Sequence, residues 1–99
     1  MEKHLERIAE MEAALESCAR ATAELTAQLD RLDALRDTML RLHRYYGSPE
    51  WYADRELSLP PGTKAGVLSE DLVYDEIADL RGAAFRMLEL GTDILKNRI

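Results

Sequence analysis

Apolar and small residues recur along the N-terminal half at Ile8, Met11, Leu15, Cys18, Thr22, Leu25, Leu29 and Leu32. This alternating three-four spacing predicts a helix with one coiled-coil-like stripe. Residues 1–46 hold neither Gly nor Pro and are dominated by good helix formers, so one helix over about residues 3–46 is expected. Beyond Leu32 the stripe continues through Leu35, Met39, Leu42 and Tyr46 with two successive three-residue steps. Such a stammer overwinds the helix locally or turns it toward a different partner.

Gly47 ends that pattern, and Ser48-Pro49-Glu50 restarts a helix with a cap, a first-turn proline and an acid at the positive end of the dipole. A short helix is predicted over about 49–56. Leu59-Pro60-Pro61-Gly62 makes about 57–68 a stiff loop, and Ser69 opens a last helix over about 70–97. Val73, Ile77, Leu80, Ala84, Met87, Gly91 and Ile94 form its seam, widened by Leu88 and Leu95. No β-type alternation competes. The expected fold is therefore a single all-α domain over 1–99. It is a long antiparallel helical hairpin, coiled-coil-like, with a short aromatic helix packed at the turn.

Helix length then exposes an imbalance. At about 1.5 Å per residue the first helix spans about 65 Å and the last about 40 Å, so Leu5, Ile8, Met11 and Leu15 have no intramolecular partner. Such an apolar strip predicts an interface, with a homodimer as its simplest form and an unidentified protein as the other partner.

Composition narrows the class further. Ninety-nine residues suit one small domain, and 46% hydrophobic with 32% charged residues describes a folding chain. A net charge of -6 disfavours direct nucleic-acid or anionic-membrane binding. Lone Cys18, placed in the seam as an ordinary small buried thiol, cannot form an intramolecular disulfide, and no segment reads as a signal or a membrane span. A soluble, cytoplasmic protein is expected.

All six aromatics lie beyond residue 44: Tyr45, Tyr46, Trp51, Tyr52, Tyr74 and Phe85. Tyr45, Tyr46, Trp51, Tyr52 and Tyr74 form the expected aromatic cluster at the turn, with Tyr46, Trp51 and Tyr74 able to converge on the connection, either as an aromatic minicore or as a ligand-stacking platform; burial of Trp51 and Tyr52 separates the two. Asp71, Asp75 and Asp79 share one face of the last helix, as a solvated stripe or as a contact for a basic partner. Asp30-x-x-Asp33 with Glu76-x-x-Asp79 loosely imitates the carboxylate sets of all-α, metal-dependent nucleotide hydrolases, but these acids tend away from the seams. His4 and His43 have no neighbours at metal-ligand spacing, and Ser69 lacks the glycine setting of a nucleophile elbow. No catalytic residue, metal or cofactor is expected.

The motifs Tyr45-Tyr46-Gly47-Ser48-x-x-Trp51-x-x-Asp54, Leu59-Pro60, Gly66-Val67-Leu68-Ser69-Glu70-Asp71 and Tyr74-Asp75 resemble those of a family of short bacterial proteins, domain of unknown function 4298. Arg7-Ile8, Met11 and Met87-Leu88-Glu89-Leu90 extend the resemblance over nearly the whole chain. Pro49 and the Pro60-Pro61 pair depart from the usual pattern, a change of loop stiffness more than of fold. The resemblance implies a small, intracellular bacterial protein and transfers no catalytic residue. A non-enzymatic, self-associating helical module is the leading expectation. An acidic inhibitor that mimics nucleic acid to block a basic cleft comes second, and the hydrolase third.

Overall fold

A computed structural model describes residues 1–97, so the last two residues of the expected 1–99 domain lie outside it. The described residues are all-α: α1 (Glu2–Ala34), α2 (Arg36–Tyr45), α3 (Pro49–Arg55), a 3-10 turn (Gly66–Leu68) and α4 (Glu70–Lys96), with no strand among them. The elements of the expected helical hairpin are thus present, two long helical stretches joined by a short aromatic connection. The chain divides into two compact units, Met1–Met39 and Leu40–Ile99.

In the first unit the single helix expected over 3–46 is interrupted at Leu35. There φ is -88° and ψ -2°, and the Leu35 N–H is shared between the carbonyls of Arg31 at 3.2 Å and Leu32 at 3.1 Å. Helical bonding resumes with Met39 N–H donating to Leu35 at 2.9 Å. The interruption sits where the stripe takes its consecutive three-residue steps, and a bond shared with the i−3 carbonyl is the tighter winding that such steps demand. The side chains of α1 have no buried member.

The second unit is organised around its connections. Gly47 at φ +77° ends α2, and the Ser48 hydroxyl accepts from Trp51 N–H at 3.2 Å to cap α3. Pro61 and Gly62, the latter at φ +82°, occupy the central positions of a turn closed by Thr63 N–H on the Pro60 carbonyl at 3.2 Å. Proline followed by a positive-φ glycine is the chemistry of a type II turn. The expected loop over 57–68 ends in the 3-10 turn, which packs against both α3 and α4. Ser69 then caps α4 by accepting from Leu72 N–H at 3.3 Å. Among the described residues Trp51 and Val73 are buried, 2% and 4% exposed.

Candidate functional site

Two features of the described residues carry chemistry, the aromatic connection and the long apolar helix faces. In the first, Trp51 sits between two rings in edge-to-face contact: Tyr46 at 5.1 Å with planes at 67°, and Tyr52 at 5.0 Å with planes at 75°. The Arg55 guanidinium lies 4.5 Å from the Trp51 ring centre, a cation over an aromatic face. The indole Nε1 donates to the Val67 carbonyl at 2.9 Å, so the ring's one polar group is satisfied where it is buried. Tyr46 donates its hydroxyl to the Glu70 carbonyl at 3.0 Å, and Tyr45 donates to the Asp54 carboxylate at 2.5 Å.

Both hydroxyls hold their protons more tightly than an ordinary tyrosine. For Tyr45 the hydrogen bond to Asp54 is the main cause, followed by loss of water around the hydroxyl and by the Asp54 charge. For Tyr46 loss of water leads, followed by the charges of Glu70 and Asp71. This arrangement fastens α2, α3, the 3-10 turn and the start of α4 to one another. With Trp51 2% exposed, it leaves no open stacking face at that ring.

Two expectations at this site need correction. Tyr74 makes no ring contact with Trp51 and is 64% exposed; of the cluster residues, Tyr46 and Tyr52 are the ones against the indole, and Tyr52 is itself 58% exposed. Tyr74 directly follows buried Val73 on α4, about 100° round the helix from the packed side. Cys18, expected as a buried seam thiol, is exposed. No side chain of α1 is buried, and an exposed stripe leaves its thiol in water.

On α1, Leu5, Ile8, Met11 and Leu15 are each more than half exposed. Exposure runs further than expected, through Leu25 and Leu29 to Leu35. On α4, Asp71, Asp75 and Asp79 are exposed. A second apolar row runs along this helix, Tyr74, Phe85, Leu88 and Leu95, all exposed. Its signal was present as large apolar residues directly following seam positions Val73, Ala84, Met87 and Ile94. Two shallow recesses of about 260 and 460 Å³ lie along that row near Arg81 and Phe85. Each is lined by α4 residues alone, which makes them grooves on a helix surface rather than enclosed ligand sites.

Among the described residues no group of three or more His, Cys, Asp or Glu side chains could hold a metal ion. Asp33 is paired with Arg36 at 3.6 Å, while Asp30, Glu76 and Asp79 are exposed. No helix among them is long and apolar enough to cross a membrane.

The chain matches a family described as Domain of unknown function (DUF4298) over residues 8–90. No curated protein and no solved structure matches the chain. The matched span takes in most of α1, the whole aromatic connection and α4 as far as Leu90.

Proposed function

Because the chain belongs to the DUF4298 family, we propose from its own surfaces that it is a non-enzymatic helical interaction module. It self-associates through α1 and works in the bacterial cytoplasm. One observation carries this reading: α1 runs for 33 residues with a regular apolar stripe and buries none of it. Helices in water draw most of their stability from packing an apolar face, so a stripe of this length asks for a partner. Full burial of Leu5, Ile8, Met11 and Leu15 is worth about 1.5–3 kcal/mol each before the cost of association, enough for a weak to moderate dimer. The exposed Asp71, Asp75 and Asp79 row on α4 is the surface proposed for a second, basic protein partner.

Light scattering over a dilution series tests the self-association. Mass should fall from two chains to one on dilution, and Ile8→Asp with Met11→Asp should give a helical monomer at every concentration. A wild-type chain that is monomeric at high concentration overturns the reading.

A further inference from the structure

We propose that the second copy lies parallel and in register along α1, so that Arg7 of each chain meets the partner's Glu12 and the two Cys18 thiols face each other across the seam. The proposal rests on the self-association reading and adds the orientation. Within α1 the seam positions run from Ile8 to Leu32 without a break in their three-four spacing, and the helix is continuous over that span. Two rows flank the seam. One holds Glu12, Ala19, Thr26 and Asp33, and the other holds Arg7, Ala14, Ala21 and Gln28.

In a parallel coiled coil each residue of the second row faces a residue of the first row in the next heptad of the other chain. Arg7 then meets Glu12, Ala14 meets Ala19, Ala21 meets Thr26, and Gln28 meets Asp33. By two-fold symmetry each contact occurs twice. Opposite charges meet at one end, an amide meets a carboxylate at the other, and small residues flank the middle.

The competing antiparallel arrangement also matches the seam, with Cys18 level with Thr22 and Leu15 level with Leu25. Its flanks do not match. Arg7 then falls beside Leu35 and Glu12 beside Thr26, so both charges lose an ionic partner and a leucine is set against a guanidinium. Flanking charge is what sets orientation when both seams pack, so the parallel pair is preferred. Within its own chain Arg7 lies 2.9 Å from His4 Nδ1, which occupies one of its donors and leaves others for a carboxylate. The small residues Cys18, Ala14, Ala19, Ala21 and Thr22 narrow the middle of the pair, where two thiols can approach to disulfide distance.

A charge-swap cycle on the full chain tests the orientation. Arg7→Glu and Glu12→Arg each place like charges together twice per dimer and should each raise the dimer Kd by about tenfold. The double variant should restore Kd to within about twofold of wild type. Circular dichroism of each variant should show unchanged helix content. Diamide, which accepts the two electrons and two protons released by a pair of thiols, should trap the wild-type dimer through Cys18 and leave Cys18→Ser untrapped. A dimer in which the double variant adds the two losses and Cys18 does not cross-link overturns the parallel register and leaves self-association standing. A chain that never dimerises overturns both.

Discussion

Trp51 donates its indole N–H to the carbonyl of Val67 at 2.9 Å, across 16 residues of sequence. That bond, and the burial of the ring around it, ties α3 to the 3-10 turn, which in turn packs on α4. Removing the ring should therefore loosen the whole connection. Trp51→Ala is expected to destabilise the fold by about 3–5 kcal/mol in denaturant titrations. Trp51→Phe, which keeps most of the apolar area and leaves the Val67 carbonyl unpaired, should cost less, about 1–3 kcal/mol. Trp51 fluorescence should resist quenching by acrylamide in the native state, and ready quenching would place the ring on the surface.

The Tyr45–Asp54 hydrogen bond predicts a pH dependence at the alkaline end. Its hydroxyl has a pKa raised above the ordinary 10.0, so the folded state holds that proton more tightly than the unfolded chain. The stabilisation is complete below about pH 10 and is lost as pH climbs through the raised value. Tyr46, raised as well, contributes in the same direction. Unfolding free energy should decline above about pH 10, and Tyr45→Phe should make that decline shallower. An unchanged alkaline slope in Tyr45→Phe would mean the bond contributes nothing.

Two glycines with empty surroundings should respond in opposite senses to alanine. A Cβ on Gly47 or on Gly82 meets nothing within 4 Å, so sterics with neighbours are equal. Gly47 sits at φ +77°, and Gly47→Ala should cost about 1–2 kcal/mol from backbone strain alone. Gly82 is inside α4, where Gly82→Ala should stabilise by about 0.5–1 kcal/mol by lowering the entropy lost on helix formation. Thermal melts of the two variants on either side of wild type check the contrast.

Divalent cations provide a test of the hydrolase alternative. Since the described His, Cys, Asp and Glu side chains form no group of three able to hold an ion, millimolar magnesium or manganese should leave Tm unchanged. A clear rise would direct mutagenesis to Asp30, Asp33, Glu76 and Asp79, and loss of the rise would identify the ligands.

Much of this architecture was legible because it is encoded locally. Helix starts are written in Ser48-Pro49-Glu50 and Ser69-Glu70-Asp71, whose hydroxyls accept the N–H groups three residues on. The end of α2 is written in Gly47 and the turn of the following loop in Pro60-Pro61-Gly62, since φ near +80° and missing N–H donors are properties of single residue types. The three-four spacing marks α1, and its stammer marks the place where Leu35 interrupts the helix. Each of these depends on neighbours within a turn or two.

What the sequence left open depends on groups far apart along the chain. Six aromatics clustered by number gave no means of separating core from surface, because a shift of one residue on a helix turns a side chain by about 100°. Only the packed structure put Trp51 and Val73 inside, left Tyr74 and Cys18 in water, and set Tyr46 and Tyr52 against the indole. The acceptor for the indole was equally hidden. Val67 contributes a backbone carbonyl, which every residue type possesses, and its presentation requires the 3-10 turn that ends the proline-rich loop. Sequence determined the helices, their caps and the apolar stripe of α1. Tertiary structure decided which apolar residues are buried, because burial is a property of two surfaces meeting and only one of them can be read from a local pattern.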